Sequence, residues 1–179
     1  MFPTDFKELL SDLNSQNSKY LIVGAYALAA HSQPRATKDM DILISPDPEN
    51  ARAVYNALAK FGAPLEGLKA ADLIEPGFFY RMGTPPLMVD VLSNIKGIEF
   101  EDAWKHRIEI EVEPGMKVPF ISAEDFIQAK LAAGREQDIL DVKAVREAQR
   151  ERALDQMVRD AVDEKNHHRD HDRDDGLDR

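Results

Sequence analysis

The stretch RATKDMDILI, residues 35–44, decides the fold, because two aspartates in it lead into an apolar run. Asp39–Ile44 is predicted to be a β-strand, and successive side chains of a strand point to opposite faces. Asp39, Asp41 and Leu43 therefore share one face, while the other face is apolar. Two carboxylates at the start of a buried strand repel each other and lose solvation, so they need a partner of opposite charge.

A divalent cation is the partner that this spacing favours. Residues two apart on a strand are separated by roughly 6.5 Å, so both carboxylates can converge on cations between them. Two such ions about 3.5 to 4 Å apart can hold the attacking and leaving oxygens of a phosphoryl transfer, and hard oxygen ligands suit Mg²⁺. Asp is disfavoured but not forbidden in strands, so Asp39 and Asp41 alone also fit a pair of edge-strand acids.

A third acid favours the metal hypothesis. The segment LMVDVL, Leu87–Leu92, is apolar on both faces except at Asp90, which is typical of a buried strand with one ionisable group. If this strand lies about 4.8 Å from Asp39–Ile44, the three carboxylates can surround one metal site. The alternative is that an arginine such as Arg81 neutralises Asp90.

Two further features could bind phosphate. Gly24 and Ala25 stand between an apolar strand and a helix, where glycine lets backbone approach a ligand and the helix start offers free N–H groups. Such glycines also occur for steric reasons alone. Lys130 follows Phe126 and Ile127 at helical spacing, so it lies beside a buried face, from which it can reach a phosphate or extend to water.

The C-terminal part carries charges and apolar residues at helical spacing. Arg135, Asp138 and Asp141 stand three residues apart, as in ion pairing along a helix. Beyond Glu147, an apolar stripe could pack on the domain or form a docking surface. Its members are Leu154, Met157, Val158 and Ala161. The tail EKNHHRDHDRDDGLDR is predicted to be solvated and mobile, although its histidines and aspartates could also bind metal.

Helical and strand patterns are mixed along the chain, which favours one α/β or α+β domain with a mixed sheet. The domain is predicted at 1–150, with C-terminal helices from about 122 and a helix extension with a charged tail at 151–179. Helices are predicted at Phe6–Leu13, Tyr26–His31, Asp47–Gly62, Ile98–Arg107 and Ser122–Ala133, and from Glu136 onward. Strands are predicted at Lys19–Val23, Asp39–Ile44, Phe78–Met82, Leu87–Leu92, Ile108–Val112 and Lys117–Ile121.

Composition limits the function classes. The chain has 179 residues, no cysteine and a formal net charge of -10, so it is not a generic nucleic-acid coat. A local basic patch or a bound cation could still attract a polyanion. Acidic residues near the start, and apolar runs too short to span a bilayer, predict a soluble cytoplasmic protein without a membrane partner.

In their order along the chain, these segments resemble the motifs of the polymerase-beta superfamily of nucleotidyltransferases, and most closely the minimal AbiEii-type toxins. The segments are LIVGAYALAAHSQPRATKDMDILI at 21–44, Val89-Asp90-Val91, FIQAKL at 126–131 and REQDILD at 135–141. The resemblance covers most of the chain from Tyr20 to about Val145. It implies the polymerase-beta-like fold, a mixed sheet flanked by helices.

The resemblance also implies roles for individual residues. Asp39 and Asp41 would bind two Mg²⁺ ions, and Asp90 would complete the metal site and help activate the attacking hydroxyl. The nucleotide-binding residues would be Gly24, Ala25, Thr37, Lys130 and Asp138. Ala25 departs from the family pattern, which often has Ser or Gly there, so a hydroxyl contact to phosphate is missing.

The implied reaction is Mg²⁺-dependent transfer of a nucleoside monophosphate from an NTP to an acceptor hydroxyl, with release of pyrophosphate. The AbiEii resemblance suggests a toxin with an antitoxin partner and an acceptor that is a tRNA or a protein. A small molecule such as an aminoglycoside is another acceptor, and the acidic composition fits a cationic drug slightly better than RNA. A non-catalytic nucleotide-binding or interaction module is the alternative from a different class.

Overall fold

A computed structural model of the chain describes residues 2–33 and 37–174, with side chains as far as 162. The helices are α1 (Thr4–Ser15), α2 (Gly24–His31), α3 (Pro48–Phe61), α4 (Phe100–His106), α5 (Ala123–Ala133) and α6 (Glu136–Asp174), and a short 3-10 helix spans Ala70–Ile74. The strands are β1 (Tyr20–Val23), β2 (Asp39–Ile44), β3 (Phe79–Thr84), β4 (Leu87–Leu92), β5 (Ile108–Glu113) and β6 (Met116–Phe120).

The strands form one six-stranded sheet in the order β3-β4-β2-β1-β6-β5. The inner pairs β2–β4 and β1–β6 are parallel, while β1–β2 and the hairpins β3–β4 and β5–β6 are antiparallel. The prediction of a mixed α/β sheet is therefore confirmed. Because β4 lies directly beside β2, the acidic residue of β4 lies next to the acidic residues of β2.

The core lies around β1 and β2 and the helices that cover them. β1 is buried throughout, and Met40, Ile42 and Ile44 of β2 are at most 1% exposed, as their apolar face predicts. Helix α1 packs against α3, whose start is stabilised by the Asp47 side chain accepting two backbone N–H groups. Gly62 ends α3 with a φ of +88°, a conformation that favours glycine. Asp47 and Gly62 thus bound the helix that the sequence predicts at Asp47–Gly62.

Several element boundaries differ from the predictions by one or two residues. Helix α2 begins at Gly24 rather than Tyr26, because the chain turns from β1 into the helix without a connecting residue. Strand β3 continues to Thr84, so the hairpin turn is shorter than the four residues 83–86 that the sequence suggested. Helix α4 begins at Phe100 rather than Ile98.

Helix α6 packs on the domain only through its first part. Val142 and Val145 are buried, whereas every described side chain from 151 to 162 is exposed. Leu154, Met157 and Val158 are thus exposed, and the packing alternative for the apolar stripe is wrong. Side chains from 163 and residues 175–179, which include the proposed metal-binding tail, lie outside the described residues. Within the described ranges, every helix is too short or too polar to cross a membrane.

Candidate active site

The three acids singled out by the sequence lie on one face of neighbouring strands. Asp41 of β2 and Asp90 of β4 are direct partners in the parallel register, and Asp39 precedes Asp41 by two residues on the same face. All three line a cleft of about 560 Å³. The register therefore brings together the carboxylates of Asp41 and Asp90, which are 49 residues apart in the chain.

Gly24 is the residue that makes room for Asp41. Its φ is +62°, and a Cβ added to it would overlap the carboxylate of Asp41. The contact arises because Val23, the last residue of β1, pairs with Asp41. Of the two explanations for this glycine, the steric one has direct support, and α2 begins at the same point, so its N-terminus also faces the cleft.

Arg81 forms a two-pronged ion pair with Asp90. Its Nε donates to Oδ1 and its Nη2 to Oδ2, both at 2.6 Å, and Asp90 is only 5% exposed. The same Nη2 lies 4.0 Å from an oxygen of Asp39. The alternative that an arginine neutralises Asp90 is therefore observed. Arg81 nevertheless lies within the cluster of acids, and Asp90 remains part of that cluster. The hydrogen bonds to Asp90 raise the pKa of Arg81.

Asp41 shows the electrostatic effect of this arrangement. Burial, followed by the negative charges of Asp90 and Asp39, raises the pKa of its carboxyl to about 6. Lys130 and Arg81 oppose that shift but do not cancel it. A carboxylate that is costly to ionise in the free protein gains most from a nearby cation, because the cation stabilises its charged form.

The three carboxylates are suitable ligands for a divalent metal ion, although they do not form a complete coordination sphere by themselves. Three carboxylates supply the hard oxygen ligands that Mg²⁺ prefers, and their repulsion is visible in the raised pKa of Asp41. In the part of the chain that the structure describes, no three His, Cys, Asp or Glu side chains stand close enough to form a finished site. Both oxygens of Asp90 are held by Arg81.

A second charged cluster joins α5 to α6 beside the cleft. The Lys130 ammonium donates to Asp138 and Asp141, each at 2.9 Å, and these two aspartates are almost fully buried. Arg135 donates to Asp138 from its side chain at 2.8 Å and from its backbone N–H at 3.2 Å. Burial would raise the pKa of Asp138, but the hydrogen bonds from Arg135 and Lys130 outweigh it and lower the pKa to about 2.

The remaining predicted nucleotide-binding residues divide into two groups. Gly24, Ala25, Thr37 and Lys130 line the cleft with the three acids. Asp138 does not line it: the residue is 1% exposed and lies behind Lys130 and Arg135. The Thr37 hydroxyl donates to the backbone carbonyl of Asp39 at 3.1 Å.

Sequence reasoning missed several residues of the cleft. Phe79, Leu92, Ile95 and Lys96 line the side formed by β3, β4 and the loop after β4. The Phe79 ring is half exposed and lies 5.6 Å from the Arg81 guanidinium carbon. A signal for Phe79 was available, because it precedes Arg81 by two residues on a strand and so shares its face. The loop residues have no such periodic signal.

Comparison with known families decides the class of protein. A family model described as "Nucleotidyltransferase of unknown function (DUF6036)" matches residues 4–174. The chain belongs to the DUF6036 nucleotidyltransferase family. Membership identifies an enzyme of the nucleotidyltransferase class rather than a non-catalytic module. The AbiEii subtype suggested by the motifs is not confirmed, because the family that matches is DUF6036. No curated protein matches the chain significantly.

Solved structures of nucleotidyltransferases share the fold. A protein of Thermotoga maritima described as a candidate nucleotidyltransferase (TM1012) has a TM-score of 0.55 at 18% identity, over 82% of this chain and 91% of that one. Lincosamide antibiotic adenylyltransferase LnuA, with lincomycin bound, gives 0.52 at 16% identity, over 82% and 97%. The antibiotic-resistance factor ANT(2'')-Ia gives 0.51 at 14%, over 92% and 96%. The likeness is one of fold, which is polymerase-beta-like.

Proposed function

We propose that the protein is a Mg²⁺-dependent nucleotidyltransferase that moves a nucleoside monophosphate from an NTP to an acceptor hydroxyl and releases pyrophosphate. The observation that carries the proposal is the register of β2 and β4, which places Asp41 beside Asp90 with Asp39 on the same face of one cleft. Residues 1–150 would form the catalytic domain and 151–179 an extension, in a cytoplasmic protein.

Asp39, Asp41 and Asp90 would hold the metal ions, and the family resemblance implies that there are two ions. Bound there, the ions would stabilise negative charge on the transferring phosphoryl group and on the pyrophosphate leaving group. Asp90 would also take the proton of the acceptor hydroxyl once one of its oxygens, both of which accept hydrogen bonds from Arg81, is free. The attacking oxygen then forms a bond to the α-phosphorus as the bond to pyrophosphate breaks.

The nucleotide would lie on the α2 and α5 side of the cleft. The start of α2 at Gly24 and Ala25 offers unpaired backbone N–H groups to its phosphates, and the helix dipole favours negative charge there. Lys130 adds a positive charge whose position is fixed by Asp138 and Asp141. Asp138 would thus act through Lys130 rather than by touching the nucleotide.

Transfer of label from α-labelled NTPs tests the proposal. Protein, Mg²⁺ and each NTP would be incubated with RNA, with protein extract and with small-molecule acceptors, and labelled products would be identified by mass spectrometry. Asp41→Ala should abolish transfer, while Asp102→Ala should leave it unchanged because Asp102 is exposed and pairs only locally with Lys105. Transfer that persists in Asp41→Ala would contradict the assignment.

Two acceptor classes follow from different observations. The motif resemblance to AbiEii-type toxins supports a macromolecular acceptor such as tRNA, with an antitoxin as partner. Expression should then arrest growth, and the product of a neighbouring gene should relieve the arrest. The likeness in fold to LnuA and ANT(2'')-Ia supports an antibiotic acceptor. Lincomycin and aminoglycosides should then be adenylylated, and expression should raise resistance without arresting growth.

A further inference from the structure

We propose that Arg81 is an exchangeable counter-ion of the catalytic acids: it and a divalent cation are alternative partners of Asp90, and the displaced guanidinium contacts the phosphates of the nucleotide. The inference rests on the proposed function and adds a positioning residue to it. Nothing in the motif resemblance assigns a role to this arginine, which lies outside the matched segments on the edge strand β3.

The first step is the two-pronged hydrogen bonding of Asp90 to Arg81. Both of its carboxylate oxygens accept hydrogen bonds from Arg81 at 2.6 Å. A cation that used Asp90 as a ligand would have to take at least one of these oxygens. Because Asp90 is nearly buried, its charge needs either the guanidinium or a metal ion, and removing both would leave an uncompensated charge.

The second step is the freedom of Arg81 to leave. Its side chain is 49% exposed, and it stands on the outermost strand of the sheet, at the wall of the cleft. Lys130 offers a contrast, because its side chain is only 12% exposed and is held by two buried aspartates. Arg81 can move away from Asp90 without breaking core packing, whereas Lys130 cannot leave its two partners in this way.

The third step is the charge of the cluster. Three carboxylates and one guanidinium have a formal charge of −2 when all four are ionised. A divalent cation bound to the same carboxylates would supply the opposite charge and would repel the guanidinium at short range, because both groups are positive.

The destination of the displaced side chain follows from its position. The guanidinium lies in the cleft, with Nη2 4.0 Å from Asp39 and the Phe79 ring beneath it. An NTP that arrives with the metal brings phosphate oxygens to this region, and arginine binds phosphate through two parallel hydrogen bonds. Removing Arg81 should therefore have opposite effects on metal and on nucleotide.

Metal affinity without nucleotide is the direct test. Binding of Mn²⁺ would be followed by loss of the free-ion EPR signal in wild type, Arg81→Gln, Arg81→Lys and Lys96→Gln. Lys96 lines the same cleft, so its variant controls for the loss of one nearby positive charge. Arg81→Gln should bind Mn²⁺ about tenfold more tightly than wild type, and Lys96→Gln less than about threefold more tightly. Equal or weaker binding by Arg81→Gln than by Lys96→Gln would overturn the inference.

Two further measurements keep the test informative. With chelator, Arg81→Gln should melt several degrees below wild type, and saturating Mn²⁺ should raise its melting temperature more than that of wild type. With Mn²⁺ saturating, a non-hydrolysable NTP should bind Arg81→Gln several-fold more weakly. If Arg81→Gln does not fold, Arg81→Lys takes its place: the ammonium keeps the charge but cannot hold both oxygens, so intermediate Mn²⁺ affinity is expected and wild-type affinity would contradict the inference.

Failure of the inference can be told apart from failure of the proposed function. If wild type binds Mn²⁺ through Asp41 and transfers nucleotide, but Arg81→Gln binds Mn²⁺ no more tightly than Lys96→Gln, only the role of Arg81 is wrong. If wild type binds no Mn²⁺ that Asp41→Asn loses, the metal site itself is wrong.

Discussion

Two clusters of charged side chains adjoin the same cleft, and they differ in the balance of positive and negative charge. The acid cluster, Asp39, Asp41 and Asp90 with Arg81, has a formal charge of −2 when all four are ionised. The joint cluster, Lys130, Arg135, Asp138 and Asp141, has equal numbers of positive and negative groups.

The pKa of an aspartate shifts in opposite directions in these two clusters. The pKa of Asp41 is raised to about 6 by burial and by the neighbouring acids, whereas hydrogen bonds from Arg135 and Lys130 lower that of Asp138 to about 2 against the effect of burial. An excess of negative charge in a folded site is what the proposed binding of a cation requires. A balanced buried cluster indicates a structural joint, here between α5 and α6.

Gly24→Ala should have the largest effect, and on activity. The added Cβ would overlap the Asp41 carboxylate, and φ is +62° at this position, so the acid cluster must distort. We expect transfer to fall by about 10²-fold or more, as displaced catalytic groups commonly cause. Gly62→Ala is the matched control, since φ is +88° there and nothing lies within 4 Å of the added Cβ.

The control should lose about 1 kcal/mol of stability and keep its activity. Steady-state kinetics and chemical denaturation measure both variants. Equal activity of Gly24→Ala and Gly62→Ala would show that the contact between Gly24 and Asp41 does not matter for catalysis.

Lys130→Met should have the largest effect on stability. It leaves Asp138 and Asp141 buried with only part of their compensation, so we expect a loss of about 3 kcal/mol or more in the free energy of unfolding. Lys105→Met removes an exposed ion pair to Asp102 and should leave stability unchanged. Urea denaturation compares the two, and a small loss in Lys130→Met would mean that the joint cluster is not structural.

The two aspartate pKa shifts predict opposite pH effects on the metal-free protein. Asp41 has a folded pKa above its ordinary value of 3.8, so the folded state holds its proton more tightly and stability falls as pH rises from 3.8 to about 6. Asp138 has a folded pKa near 2, so its contribution is present above 3.8 and is lost as pH falls toward 2.

Asp41→Asn should therefore stabilise the metal-free protein at pH 7 by about 1 to 3 kcal/mol, because the amide mimics the neutral acid. The gain should disappear below pH 3.8, where wild-type Asp41 is protonated in both states. Denaturation with chelator across this range checks the result. Asp138→Asn should instead destabilise at pH 7, and a gain in stability there would contradict the proposed difference between the clusters.

Ala25→Ser should have the smallest effect. It restores the hydroxyl that the resemblance leads one to expect at the start of α2, where Ala25 lines the cleft. One added hydrogen bond to phosphate corresponds to roughly 0.5 to 1.5 kcal/mol, so NTP should bind about two- to tenfold more tightly. Equilibrium binding of a non-hydrolysable NTP measures this, and unchanged affinity would place the phosphates away from α2.

The acid cluster could be predicted from sequence because its signals are local. Alternation places Asp39 and Asp41 on one face, and Asp90 stands out as the lone charge in an apolar strand. Only the pairing of β2 with β4 needed tertiary information, and the motif resemblance supplied it. The sequence offers Arg81 only as the alternative partner of Asp90, and it gives no sign that Arg81 also lies close to Asp39.

The joint cluster could not be predicted in the same way. Spacing along α6 suggested pairing among Arg135, Asp138 and Asp141, and the contact between Arg135 and Asp138 is present. The bonds from Lys130 depend on how α5 folds back onto α6 after Gly134, which no periodicity encodes. The resemblance implies that Asp138 binds the nucleotide, whereas Asp138 lies behind Lys130 and Arg135.

Anomalous diffraction from crystals grown with Mn²⁺ and a non-hydrolysable NTP tests the central claim most directly. The account predicts a manganese peak among the carboxylates of Asp39, Asp41 and Asp90, with the nucleotide phosphates against it. A peak elsewhere, or a nucleotide bound while Asp90 stays away from any metal, would contradict it.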